Sequence, residues 1–177
     1  MSGIRPRIAR SIKDEIFDKD AFVENCSTKK AKYHIEFIEN SKTEIWIDKH
    51  YWDRILLEDR DGIEIKFVEP LVIKSFKHLL YYCLKHKDFS FINHPPPKSR
   101  NIRVVLRQLF NNKEPLNVAV EYHFLKLNSY EVTIKTAMSV EQFDLGDGQY
   151  LIEFNENEST LYSFRKRQLN EIDKYYE

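Results

Sequence analysis

An apolar–polar alternation with a period of two recurs through the last third of this 177-residue chain and limits its fold more than any other feature. Val118, Val120, Tyr122 and Phe124 alternate with Ala119, Glu121 and His123. Val132, Ile134 and Thr136 alternate with Thr133 and Lys135, and Tyr150, Ile152 and Phe154 with Leu151 and Glu153. Successive side chains of a strand point to opposite faces, so runs of this kind build a half-buried sheet. Turn-formers separate them: Asn128-Ser129, Gly146-Asp147-Gly148, and Asn155 to Glu158. Tyr162 and Phe164 continue the apolar side. The pattern predicts an antiparallel meander after residue 115.

Upstream, the period changes more than once. Ser11 followed by Asp14 and Glu15 reads as the capped start of a helix over 11–25. Tyr33, Ile35 and Phe37, then Ile45 and Ile47, predict a hairpin turning at Asn40-Ser41-Lys42. Asp48 is placed to cap a helix carrying Trp52, Ile55 and Leu56 and ending at Asp61-Gly62. Ile63, Ile65 and Phe67 read as a strand stopped by Glu69-Pro70. Pro70 then opens a helix to about residue 87 through Val72, Phe76, Leu79, Leu80, Cys83 and Leu84. Ile102, Val105, Leu106, Leu109 and Phe110 keep helical spacing behind Ser99, with a strand as the alternative because Val104 and Val105 are β-branched. The polar tail from about 166 reads as weakly helical. The sum is one α+β domain over 1–177, with 1–10 and 167–177 peripheral. Its N-terminal and central helices pack on a C-terminal antiparallel β-meander, with an additional N-terminal hairpin.

Composition excludes several classes. Only four glycines occur, Gly3, Gly62, Gly146 and Gly148, so no Gly-rich loop is present to cradle a nucleotide phosphate. No G-x-S-x-G elbow and no H-E-x-x-H helix occurs. Cys26 and Cys83 form neither a disulfide framework nor a metal spacing, which fits a reduced, cytoplasmic chain. Lys plus Arg equals Asp plus Glu at 28 each, which argues against a strong non-specific polyanion binder. Met1 to Arg10 lacks the apolar core of a signal peptide, and no run of about 18 apolar residues is present to span a membrane. No metal, nucleotide or other cofactor is expected.

Several groups carry candidate chemistry. If the apolar sides of the late strands face the helices, the other sides collect Glu121, His123, Thr133, Lys135, Glu153, Ser163 and Arg165. A carboxylate, an imidazole and cations on one face suit acid–base work on a phosphodiester, although a one-sided sheet always has a solvated polar face. His50 and Arg54 lie four apart and share a helix face, with Arg60 just beyond. Arg165-Lys166-Arg167 beside Tyr162 is a basic triplet able to contact phosphates, diluted by Glu171 and Asp173. His78 and His86 stand two helical turns apart, too far to chelate one ion, and read as surface histidines. His94-Pro95-Pro96-Pro97-Lys98 reads as a stiff connector. Trp46, Tyr51, Tyr81, Tyr82 and Tyr130 are candidate interface anchors if exposed.

A family likeness rests on four short segments. They are Ile47 to Ile55 with His50, Trp52 and Arg54; Arg60-Asp61-Gly62-Ile63; Val68, Pro70, Ile73 and Ser75 leading to Leu80-Tyr81-Tyr82; and Ile134-Lys135-Thr136-Ala137. Together, over about residues 44–138, the chain resembles the small nuclease toxins of the barnase–EndoU–colicin–RelE group. The resemblance implies metal-independent RNA cleavage with the 2′-hydroxyl as nucleophile. It implies His50 or Arg54 as base or phosphate clamp, and Thr136 at the scissile phosphate. The chain departs from the pattern in four ways. Arg54 stands where a helix histidine is usual. Residues 79–84 read as helix where the group has a strand. Thr136 falls on the apolar side of its strand unless the strand bulges, and the basic excess of such toxins is missing.

Two functions follow from this reading. The first is a non-catalytic protein-interaction domain of inhibitor, immunity or assembly type, with another protein as partner. The alternative is a metal-independent ribonuclease of a bacterial or phage conflict system, with RNA as partner. A ribonuclease would gather Arg54, Arg60, Arg103, Lys135 and Arg165 around one groove, whereas an interaction domain would expose an aromatic patch with a polar rim.

Overall fold

A computed structural model describes residues 26–27, 31–38, 41–56, 63–95, 100–110 and 114–176. The expected helix over 11–25, Arg60, the Asp61-Gly62 helix end and the cap at Ser99 lie outside these residues. The described residues form one mixed sheet of nine strands with two helices. The strands are β1 (Ala31–Ile38), β2 (Ser41–Asp48), β3 (Ile92–Asn93), β4 (Val104–Phe110), β5 (Glu114–Lys126), β6 (Ser129–Ser139), β7 (Tyr150–Phe154), β8 (Glu158–Arg165) and β9 (Gln168–Tyr176). The helices are α1 (Lys49–Leu56) and α2 (Ile65–Lys85). Along the sheet the order is β1-β2-β6-β5-β4-β7-β8-β9, and β3 pairs with β5 beyond the start of β4.

The late strands are paired as the alternation requires, but they do not form one meander. The β5–β6 hairpin and the β7–β8–β9 run are antiparallel units. β4 separates them, antiparallel to β5 and parallel to β7. The β1–β2 hairpin is not a separate feature either, because β2 runs parallel to β6 and extends the same sheet.

The long helix α2 covers one face of the sheet. Val68, Val72, Ser75, Leu79 and Tyr82 recur at helical spacing and are all buried. They meet Ile45, Ile47, Val104, Leu106, Val118, Val120, Val132, Ile134 and Ile152, which form the main core with them. Several polar groups inside this layer are paired. Ser75 Oγ bonds Val72 O and the Tyr122 hydroxyl, each at 2.7 Å. His78 Nδ1 lies 2.8 Å from Ser159 Oγ, and the Tyr82 hydroxyl donates to Ser159 O at 2.6 Å. His78 is therefore a core histidine rather than a surface one, while His86 Nε2 reaches Asp173 Oδ2 at 2.8 Å.

Four local expectations are corrected. Ile65 and Phe67 are helical, because α2 begins at Ile65 and carries Pro70 inside it. Burying Val68, Leu71 and Val72 in one stripe outweighs the backbone bond that Pro70 cannot make. Residues 104–110 are a strand, with Val104 and Leu106 in the main core and Val105 on the opposite face; Leu109, apolar in the helical pattern, is 59% exposed. The tail is β9, paired along β8. In β8 the alternation runs one residue out of step with the sequence reading. Leu161 enters the main core, whereas Tyr162 joins Val105, Ala119 and Leu151 on the opposite face. Ser163 and Arg165, by alternation, leave the polar face to which they were assigned.

Leu79 is fully buried, and truncating it leaves a void that the packed layer closes only in part. Leu79→Ala is expected to lower unfolding free energy by about 2–5 kcal/mol. Leu84→Ala, at a site 88% exposed on the same helix, should stay within about 0.5 kcal/mol of the parent in urea unfolding.

Candidate functional site

The face of the sheet turned away from α2 is polar and largely closed. Glu121, His123, Glu131 and Thr133 from β5 and β6, with Glu44, Trp46 and Asp48 from β2, are all buried there. Glu121 is the hub. Its Oε1 accepts from Arg103 Nε at 3.2 Å and Nη2 at 2.8 Å. Its Oε2 accepts from Asn101 Nδ2 at 3.1 Å and from the Ser27 hydroxyl. His123 Nε2 stands 3.7 Å from the same oxygen. Cys26 N donates to Glu131 Oε1 at 2.7 Å, so residues 26 and 27 are both tied to this face.

Burial alone would push the Glu121 carboxyl up. The His123 imidazole, the Ser27 hydroxyl, the Arg103 guanidinium and the Lys135 ammonium outweigh that and bring it down to about 2. A carboxyl held this far below its usual range stays ionised and is a poor proton carrier near neutrality. Glu121 is thus a structural anchor, and His123 beside it is enclosed rather than presented at a cleft.

One residue of β6 changes what the strand presents. Ala119 pairs with Thr136 but Val120 pairs with Ile134, so Lys135 is the extra residue of a β-bulge. After it the alternation is reversed. Thr136 lies beside Ala119 on the polar face, and Ala137 takes the core position. The condition under which Thr136 joins the candidate site is met.

α1 rises next to this bulge. Asp48 Oδ1 accepts from His50 N at 2.9 Å and caps the helix as its position suggested. Asp48 Oδ2 accepts from Lys135 Nζ at 2.5 Å. One carboxylate therefore fixes both the start of the helix and the bulged lysine. Between α1 and β6 opens a cleft of about 370 Å³, lined by His50, Arg54, Arg103, Lys135 and Thr136 among others. Arg54 Nε and Thr136 Oγ1 are buried there without a hydrogen-bond partner among the described residues, unlike most buried polar atoms.

Four of the five candidate catalytic residues, His50, Arg54, Lys135 and Thr136, thus line one cleft, and His123 does not. Of the five cations expected around a groove, Arg54, Arg103 and Lys135 line it. Arg60 lies outside the described residues, and Arg165 is not among the residues that line it. Sequence reasoning missed the double role of Asp48 and the pairing of Arg103 with Glu121. Asp48 carried a signal as a cap, but its link to Lys135 spans 87 positions and leaves no local trace.

The aromatic anchors are placed differently from the expectation. Trp46, Tyr51 and Tyr82 are buried; the Tyr51 hydroxyl donates to Ile63 O at 2.6 Å. Tyr81 and Tyr130 are half-buried, packed on Tyr175 and Phe76. Arg165, Lys166 and Arg167 form the exposed β8–β9 turn. Among the described residues no group of histidine, cysteine and carboxylate side chains is arranged to hold a metal ion, and no helix is long and apolar enough to cross a membrane.

The sign of the Glu121 effect is fixed by its lowered value. Its contribution to stability is complete above about 4.5, the ordinary value, and is lost as pH falls through about 2. The size is on the order of 3 kcal/mol. In acid titrations followed by urea unfolding, the parent should lose stability across that window. Glu121→Gln should be weaker at pH 7 and flatter between pH 4.5 and 2.

The chain matches no family model, no curated protein and no solved structure.

Proposed function

We propose that this chain is a metal-independent ribonuclease-like domain whose cleft between α1 and β6 holds the phosphodiester to be cut. One observation carries the reading: His50 and Arg54 from α1, and Lys135 and Thr136 from the bulge of β6, line the same cleft. The two pairs stand about 80 positions apart in the chain; His50, Arg54 and Thr136 are the residues to which the likeness to small nuclease toxins gives roles, and Lys135 comes from the strand alternation. In this reading His50 takes the proton of the ribose 2′-hydroxyl. The freed oxygen attacks phosphorus, the bond to the 5′-oxygen breaks, the departing oxygen takes a proton from water, and the hydroxide so left takes back the proton held by His50. A 2′,3′-cyclic phosphate and a 5′-hydroxyl result. Arg54 supplies charge to the phosphoryl oxygens as negative charge builds on them, and the Thr136 hydroxyl donates a hydrogen bond.

Asp48 has a supporting part. Capping α1 and pairing with Lys135 hold the helix and the bulge in one arrangement, which spares the site that ordering on substrate binding. Burial of Trp46, Tyr51 and Tyr82 removes most of the aromatic surface on which an inhibitor, immunity or assembly role rested.

The purified protein should cleave single-stranded RNA in the presence of a chelator, leaving cyclic phosphate ends. His50→Ala should slow cleavage by about 100-fold or more. Arg54→Ala and Thr136→Val should slow it by smaller factors. RNA left intact by the parent under all conditions would sink the reading and return the interaction role to first place.

A further inference from the structure

A second and larger cleft, of about 630 Å³, opens beside the first. Arg103 and Lys135 line both, so the two spaces meet at these side chains. The far wall of the larger cleft is the loop Asp147 to Tyr150, with Arg100 and Asn101 before β4 and Ser90 after α2. That loop is a closed turn. Gln149 N donates to Gly146 O at 3.0 Å, and Gly148 sits at φ +84°, a value that favours glycine at this turn position. Gly148 N and Phe164 N bond Phe164 O and Gln149 O, each at 2.8 Å, which fixes the loop to β8.

The basic turn follows directly. Lys166 N donates to Asp147 Oδ1 at 2.8 Å, so the tip Arg165-Lys166-Arg167 is tied to the lip of the larger cleft. Lys166 and Arg167 have φ of 52° and 62°. Two left-handed residues in a two-residue hairpin loop are normally Asn-Gly or a similar pair. Long basic side chains in both places are a local cost that hairpin formation does not require. Arg103 uses Nε and Nη2 on Glu121, which leaves Nη1 for another acceptor, and its side chain is 41% exposed.

We infer that the two clefts and the β8–β9 turn form one track for single-stranded RNA several nucleotides long. The inference rests on the proposed function and extends it. The cut phosphodiester lies in the smaller cleft, and the strand crosses Arg103 and Lys135. A neighbouring nucleotide enters the larger cleft, whose polar walls at Ser90, Asn101 and Gln149 suit a base edge. A phosphate beyond it reaches Arg165, Lys166 and Arg167. A duplex is excluded, because a paired base cannot leave its stack to enter the larger cleft without unpairing.

The test measures binding of a fluorescently labelled single-stranded octanucleotide, a dinucleotide and a duplex octamer across salt concentrations. It uses a chelator and a non-cleavable 2′-O-methyl backbone. The parent should bind the single-stranded octamer at least tenfold more tightly than the dinucleotide or the duplex. The variant Arg165→Ala, Lys166→Asn, Arg167→Gly keeps a favoured turn pair, so loss of fold does not confound it. It should weaken octamer binding at least fivefold and leave dinucleotide binding unchanged. It should also make the salt dependence shallower by about 0.7 in the log–log slope per lost phosphate contact. Arg100→Ala should weaken the octamer as well, whereas Arg54→Ala should weaken both single-stranded ligands. Parent-like octamer binding by the turn variant, with Arg54→Ala still weak, would overturn the track and leave the cleft reading standing. Equal binding of duplex and single strand would also overturn the track. If the parent binds none of these ligands, both fall.

Discussion

A carboxylate buried to 3% exposure remains charged only where donors surround it, and Glu121 is such a group. Its partners come from three parts of the chain: Ser27, the approach to β4 at Asn101 and Arg103, and β5 itself. The polar face of the sheet is organised around this charge. Arg103 is oriented by it and so stands at the meeting point of the two clefts. The opposite face follows different physics. There α2 lays an apolar stripe on the sheet, with Ser75 bonded to Tyr122 and His78 to Ser159. β5 belongs to both layers, with Tyr122 bonded to Ser75 on one side and Glu121 to Arg103 on the other.

Charge balance takes on a local meaning in this arrangement. The net charge of zero argued against a polyanion binder. Yet Lys135 and Arg103 are held by Asp48 and Glu121, so part of the acidic complement is used to position cations rather than to repel a ligand. A neutral chain can therefore present an ordered set of cations at one place. Such pairing also weakens the long-range attraction that a free basic patch would exert, so binding at the clefts depends more on fit than on steering.

Where period-two alternation was long and uninterrupted, as in β5 and β7, the sequence was enough to locate strand and face. The cap at Asp48 and the turn at Gly146–Gly148 were legible because their side-chain and backbone requirements are local. Misreadings arose where two periods fitted one segment. Residues 102–110 satisfy helical spacing, and only the sheet neighbours of β4 on either side decide for a strand. Ile63 to Phe67 alternate, but α2 captures Ile65 and Phe67 because the stripe beginning at Val68 needs a helix. In the candidate site, residue types and the α1 pair were visible from the chain. Their convergence was not, because it depends on pairing between β5 and β6 and on which strand carries an irregularity.

That irregularity has a consequence for how the site can change. Two settings of β6 exist in principle, one with Thr136 among the apolar side chains and one with Thr136 beside the cleft. What separates them is whether Lys135 is accommodated as the extra residue of a bulge. Substitutions at Lys135 alter a side chain and leave the residue count intact. Removal of Lys135 would leave a regular strand in which Ala137 keeps the core and Thr136 keeps the cleft side, without the lysine. Loss of the bulge with the count unchanged would instead exchange the two faces of everything downstream, sending a hydroxyl into the core and an alanine to the cleft. The bulge of β6 is thus itself a determinant of the site.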